Sequence, residues 1–163
     1  MAQVLPLVIH PDSRLREKSR PVDLNVLNEP EFRQLILAMG KTMHANKGVG
    51  LAAVQIGRLI RLTVIDTDDG LLPLINPVIS RKSWRKEWGE EGCLSIPGVF
   101  GLVKRALGIR VKARDLQGNR INFKAKGFFA RVIQHEVDHM NGVLFIDRAK
   151  QLTEGEPSYR QAA

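Results

Sequence analysis

Apolar positions recur along the chain with two different periods, and the change from one to the other marks out its elements. Phe32, Leu35, Ile36, Met39 and Met43 fall about one helical turn apart, which predicts a helix over 28–46 with a single apolar stripe turned to the core. Asn28 stands where an N-cap belongs, with Glu31 three residues on as an approximate capping box. Pro30 suits the first turn, and Gly48 stops the helix. Arg61 to Asp66 is then a short β-branched run, closed by the turn signal Asp68-Asp69-Gly70. Pro73 and Pro77 bracket a short segment. Proline has no N–H to give to a ladder, so this segment is expected at a sheet edge.

Strict alternation identifies a hairpin from Ile109 to Lys126. Ile109, Val111 and Ala113 alternate with Arg110, Lys112 and Arg114, while Ile121, Phe123 and Ala125 alternate with Asn122, Lys124 and Lys126. Gln117-Gly118-Asn119 supplies the turn, so one face is apolar and the other strongly basic. A second helix follows over Phe128 to Met140. Its apolar residues Phe129, Val132, Ile133, Val137 and Met140 spread around the circumference, as in a helix enclosed by other layers, and Asn141-Gly142 ends it. Strands preceding a buried helix, with another helix far upstream, make an α+β domain.

Bulk properties narrow the class without naming a chemistry. A length of 163 residues, 44% hydrophobic and 26% charged, suits one globular domain over 1–163 with a short tail from 148. No repeat or low-complexity linker interrupts it. Met1 to Ile9 is apolar but broken by Pro6 and followed by His10-Pro11-Asp12, unlike a signal peptide, and no run approaches the ~20 apolar residues of a membrane span. A cytoplasmic location is expected, or an organellar matrix in a eukaryote, with no membrane partner. Cys93 is the single cysteine, which excludes an internal disulfide. The formal charge of +8 favours encounters with acidic partners such as RNA.

The chemistry lies on the second helix, where His135-Glu136-Val137-Asp138-His139 spells HExxH. Histidines four residues apart share one helix face and can reach one cation, and the glutamate beside the first can address a water there without being a ligand. A random chain of this length would contain the pattern about once in several hundred. Unpaired histidine and glutamate are also costly inside so apolar a helix. A third ligand is needed. The extension HExxHxxGxxH fits as far as Gly142 but requires histidine where Phe145 stands, and the downstream Glu154 and Glu156 lie in too short a tail. Upstream, His10, His44 and Cys93 are the nitrogen and sulfur donors. Cys93 is the best candidate, because Gly92 frees the backbone beside it and a cation strongly favours its thiolate. A further segment, Gly48 to Gly57, is rich in glycine and small residues yet lacks the lysine and hydroxyl of a phosphate loop. Its Gln55 amide can donate to an anion.

Three segments, GVGLAAVQIG, EGCLSIPG and QHEVDHMNGVLFID, resemble in order and separation the three signature motifs of peptide deformylases, and a looser likeness runs from Val8 to Asp147. The resemblance implies antiparallel sheets surrounding a central helix that carries HExxH, plus an N-terminal helix. It implies removal of the formyl group from the N-terminal formyl-methionine of nascent polypeptides. It also places Cys93, His135 and His139 on the metal ligands, Glu136 on the acid/base, and Gln55 with the Leu94 N–H on the oxyanion donors. Gly50 falls where substrate backbone docks, and Val49, Phe128 and Val132 fall around the methionine pocket. Three protein ligands leave an open position for water; Glu136 takes its proton and later gives it to the departing amine. The resemblance points to Fe²⁺ as the working ion, whereas the donor set also suits Zn²⁺, with Ni²⁺ or Co²⁺ as substitutes.

Departures from the pattern are few. Val54 stands where the family usually has proline, and loss of that fixed φ is expected to loosen the strand that aims Gln55. Phe100 replaces a common arginine, and the basic C-terminal helix by which some relatives dock on ribosomes is reduced, leaving the basic hairpin face as an alternative contact. The chain is expected to be a monomer. Two rivals share part of the pattern. One is a metallopeptidase; the other is a basic ribosome- or RNA-binding domain whose structural metal would need a fourth protein ligand, such as His44.

Overall fold

The computed structural model describes residues 3–155. Among the described residues, two α-helices and eight strands build an α+β fold: α1 Pro30–Ala45, β1 Gly50–Ala52, β2 Leu62–Thr67, β3 Gly70–Lys82, β4 Lys86–Cys93, β5 Ile96–Ala106, β6 Gly108–Arg114, β7 Arg120–Lys126, α2 Gly127–Met140 and β8 Leu152–Glu154. All ladders among these strands are antiparallel. A five-stranded sheet runs β1-β2-β3-β6-β7, and a three-stranded sheet runs β4-β5-β8. The helix α2 touches strands of both sheets and is buried along most of its length, so the helix carrying 135–139 is the central element. No described helix is long and apolar enough to cross a membrane.

Each layer has its own apolar cluster. Phe32, Ile36, Met39 and Met43 of α1 pack on Leu51, Leu62, Val64 and Ile75. Ile133 and Val137 of α2 pack on Ile109, Val111, Ala113 and Ala125 of the hairpin. Leu144 and Phe145, just beyond α2, pack on Val8, Leu15, Ile96 and Val103 under the smaller sheet. At the edge of β5, the buried Gln134 amide behaves as a strand would: it accepts from the Ala106 N–H at 3.1 Å and donates to the Ala106 carbonyl at 3.0 Å.

Two expectations need correction. The helix begins at Pro30, not Asn28, and Glu29 occupies the N-cap without a side-chain bond. Asn28 instead ends a short 3-10 turn, Leu24–Asn28, capped by Asp23. Proline at the first helical position, with no N–H to satisfy, sets that boundary. The segment around Pro73 and Pro77 lies in β3, the middle strand of the larger sheet. Both prolines are accommodated because β3 pairs with β2 over 70–75 and with β6 over 75–82. Pro73 therefore faces one partner strand only, and Pro77 sits in the bulge between Ile75 and Val78. Within the short tail from 148, β8 pairs with β5, Phe100 opposite Thr153. Glu156 and the segment 158–163 lie outside the described residues.

Gly142 closes α2 at φ +73°, and a Cβ there would meet the Arg16 carbonyl oxygen at 2.3 Å. Gly70 also has positive φ, at +106°, but open space around it. Gly142→Ala is therefore expected to destabilise the protein by about 2 kcal/mol or more, and Gly70→Ala by about 1. Urea unfolding midpoints read the difference, and equal losses would show that backbone crowding at Arg16 is unimportant.

Candidate active site and metal centre

Helix spacing brings His135 and His139 one turn apart on α2, and the end of β4 brings Cys93 to them. The Cys93 Sγ lies 3.2 Å from His139 Nε2, which lies 3.2 Å from His135 Nε2. These three donor atoms all fall within 4.8 Å of one another. Donor atoms around a single tetrahedral cation sit roughly 3.3–3.6 Å apart from ordinary bond lengths, so the triangle is cation-sized.

The chemistry of the donors fits a cation as well as their spacing does. Burial lifts the Glu91 carboxyl, but hydrogen bonds from Arg105 and His135 outweigh it and hold the group at about 2. Glu91 is therefore an acceptor only, and His135 Nδ1, 3.0 Å from its Oε2, must be the donor. That choice turns His135 Nε2 toward His139 and the cluster, the usual arrangement of a carboxylate behind a ligating histidine. Burial pushes His139 well below the ordinary imidazole range, so its ring is neutral. His44, the other histidine considered, is half-exposed and pairs with Asp66 at 3.1 Å; it is no fourth ligand.

Glu136 lies beside this cluster with its Oε2 buried and without a partner among the described residues. Burial pushes its carboxyl up to about 7, the range in which a group can both take and return a proton near neutrality. Its fit depends on Gly50 in β1: a Cβ at Gly50 would stand 2.6 Å from Glu136 Oε1 and 3.0 Å from Val132 Cγ1. The Gln55 amide is oriented without ambiguity. Its Oε1 accepts from the Ala52 N–H at 2.9 Å, which turns Nε2 toward Ser95 Oγ at 3.2 Å and Cys93 Sγ at 3.5 Å. Gln55 belongs to a 3-10 turn, Ala53–Ile56, rather than a strand. The Ala52 bond and complete burial of Val54 hold it where proline was expected to.

A cavity of about 810 Å³ opens over these groups. Gly50, Gln55, Leu94, Val132 and Glu136 line it, with Cys93 and His135 at the cluster. His139 lies deeper, reaching the cluster through Nε2. At the rim Val49 and Phe128 are 44% and 65% exposed, and Phe100 stands in the wall over Gly92. The residues that the resemblance placed on the site thus come together around one cavity, which neither His10 nor His44 lines.

What the sequence reading missed is the ion network behind the site. Glu91 accepts from Arg105 Nε at 2.8 Å and Nη2 at 2.9 Å, from Arg131 Nη1 at 2.9 Å, and from His135. Arg105 also donates to Asp138, which takes two bonds from Arg148 at 2.6 and 2.8 Å. One signal was available: Arg131, His135 and Asp138 fall at i, i+4 and i+7 on a helix otherwise read as apolar, a polar stripe that demands partners.

An α+β fold with a Cys-His-His cluster beside a buried glutamate defines the chain as a metallohydrolase of the HExxH class. The polypeptide deformylase family profile matches residues 4–155. A peptide deformylase from Pelotomaculum thermopropionicum is 45% identical over 145 residues, covering 86% of this chain and 88% of that one. One from Thermoanaerobacter pseudethanolicus is 46% identical over 146 residues, 89% of each chain. The Met-Ala-Ser-bound class I type b peptide deformylase from Acinetobacter baumannii superposes with a TM-score of 0.86 at 37% identity, over 91% of this chain and 99% of that one. The chain belongs to the polypeptide deformylase family and is an enzyme that removes the formyl group from nascent polypeptides.

Glu91→Gln is expected to leave two buried guanidinium groups undercompensated and to free the His135 ring. Stability should fall by about 3–5 kcal/mol and metal affinity by about 10–100-fold. Thermal unfolding and competition with a chelating dye measure the two; unchanged metal affinity in the folded variant would remove Glu91 from the site.

Proposed function

We propose that this chain works as a single metal-dependent catalytic domain over 1–163 that deformylates N-terminal formyl-methionine, with Cys93, His135 and His139 as its metal ligands. The observation that carries the assignment is the convergence of their three donor atoms beside an unpartnered, buried Glu136 oxygen at the base of one cavity. A divalent ion held there supplies Lewis acidity, lowering the pKa of water to about 7 and drawing charge from a carbonyl oxygen. Thiolate and imidazole donors suit Fe²⁺, which we take as the working ion, and Zn²⁺, Ni²⁺ or Co²⁺ as substitutes.

The residues of the chain do the rest. Val49, Phe128 and Val132 form an apolar wall that takes the methionine side chain, and the Gly50 backbone aligns the substrate's own. Glu136 removes a proton as water attacks the formyl carbon. The Gln55 Nε2 and the Leu94 N–H receive the negative charge that develops on the formyl oxygen. Glu136 then returns the proton to the amine nitrogen as the C–N bond breaks, releasing formate and a free N-terminus. We further propose a monomer in the cytoplasm, or in an organellar matrix, that meets nascent chains through transient contact of its basic surface with the ribosome.

Anaerobic formate release from formyl-Met-Ala-Ser tests the reading. Chelation should abolish release and Fe²⁺ restore it. Glu136→Gln should stop turnover with the metal content retained, and Gln55→Ala should lower kcat by about 10²–10³-fold. No formate from folded, fully metallated protein would sink the assignment; full turnover in Gln55→Ala would remove the role given to that amide.

A further inference from the structure

The larger sheet has a second face that the active site does not use. Ile109, Val111, Ala113 and Ala125 turn inward onto α2, so strand alternation sends Arg110, Lys112, Arg114 and Lys124 the other way. Cross-strand pairing sets like charges directly opposite one another: Arg110 against Lys124, and Arg114 against Arg120. A bulge between Ile79 and Arg81 brings Arg81 opposite Arg110 as well, extending the row across three strands. Lys126 stands at the same end of this face, and Lys82, paired with the inward Ile109, lies at that end on the other side of the strand. The strands β3, β6 and β7 contain no acidic residue. Among the described residues, none of these eight cations joins an ion pair. The chain's formal excess is +8, so the remaining seventeen cationic side chains match its seventeen acidic ones. The three strands β3, β6 and β7 alone thus carry as much net charge as the whole chain.

An aromatic side chain stands at the edge of the same patch. Trp84, in the run Arg81-Lys82-Ser83-Trp84-Arg85-Lys86 between β3 and β4, is 88% exposed. Its loop is nonetheless pinned on both sides. The Ser83 N–H donates to the Gly108 carbonyl at 2.8 Å, the Gly108 N–H donates to Ser83 Oγ at 3.0 Å, and the Leu107 N–H donates to the Arg85 carbonyl at 3.0 Å. Next to it lies a hollow of about 250 Å³, lined by Ser83, Gly108 and Ala125 together with Arg81, Arg110 and Lys124.

We propose that this face is an RNA-docking surface, with backbone phosphates on the β3–β6–β7 cations and an unpaired base stacked on Trp84. Cations about 4.8 Å apart across strands and about 6.8 Å apart along them form a grid for a chain of phosphates. Arginine adds bidentate geometry at four of the seven positions on this face, and an exposed indole on a pinned loop is the platform that single-stranded bases use. An anionic membrane asks for a broad apolar face, and an acidic protein for an apolar interface centre; this patch exposes little apolar area beyond Trp84 and Val78. The surface deepens the ribosome contact proposed above, but its binding is read separately from turnover.

The test uses the metal-loaded full chain with three probes: a labelled RNA stem–loop, a blunt RNA duplex, and phosphatidylglycerol vesicles. Wild type should bind the stem–loop with strong salt dependence. The combined Arg81→Gln, Arg110→Gln, Lys124→Gln variant should lose at least about tenfold in affinity. Its plot of log affinity against log salt should flatten by about two units, at roughly 0.7 for each phosphate no longer neutralised. Trp84→Ala should weaken stem–loop binding about tenfold and leave the duplex unaffected. The combined variant should unfold at the same temperature as wild type or higher, since repulsion is relieved, and should keep full formyl-peptide turnover. No RNA binding by wild type, unchanged stem–loop binding in either variant, or binding to vesicles alone overturns the proposal. Wild-type protein that binds RNA but releases no formate strikes the deformylase reading and supports this one.

Discussion

Two of the three clustered donors, His135 and His139, come from a helix and the third, Cys93, from a strand of the smaller sheet, so a contact crossing the two layers must set their separation. Glu91 provides it. Its carboxylate, two residues before Cys93 on β4, receives Arg105 from β5 and both Arg131 and His135 from α2. Isolated, a buried carboxylate is costly; with four charge-assisted bonds and two guanidinium groups its desolvation is offset. Arg105 then extends the linkage to Asp138, and Asp138 to Arg148 beyond the helix. The geometry of Cys93 against His135 is thereby tied to the same bonds that dock helix on sheet. A packed apolar contact tolerates small sliding, whereas a bidentate arginine does not.

The rest of the site follows from holding that helix so closely. With α2 enclosed, Glu136 cannot reach bulk water except through the cavity, and this enclosure is what raises its carboxyl toward neutrality. The same approach of helix to β1 leaves no room for a side chain at residue 50, so the glycine is a steric consequence of the acid's position. Gln55 is aimed by a bond within its own turn and depends less on the helix. Two parts of one site are thus set by different means, Glu136 by packing between layers and Gln55 by a local backbone bond.

Features governed by near neighbours were legible in the sequence. The hairpin was legible in its extent, its turn and its two faces, because alternation and a glycine turn are both local; its register, Ile109 opposite Ala125 and Val111 opposite Phe123, is given by the structure. HExxH was legible because helix geometry alone converts its spacing into a shared face. The Glu91 network was not, since its partners lie fourteen to forty-four residues apart and periodicity carries no information about such pairs. The place of β3 was misread for a related reason. The rule that proline avoids central strands concerns which edge of each residue is paired, and β3 changes partners midway along its length. Trp84 gave no periodic signal at all; its meaning depends on the cations that β6 and β7 bring beside it.

One sheet thus carries two opposed demands, and magnitudes explain why it can. Like charges face each other at three cross-strand pairs, Arg81 with Arg110, Arg110 with Lys124, and Arg114 with Arg120. Each such pair costs about 0.2–1 kcal/mol. On the opposite face, burying Ile109 and Val111 against α2 contributes about 1.5–3 kcal/mol apiece, before Ala113 and Ala125 are considered. The inner face wins, so the outer face is free to keep a charge pattern that works against the strands bearing it. The pairs also resist being read as incidental solvated charge. A sheet needing only solubility is served by mixed signs, which would stabilise the same ladder.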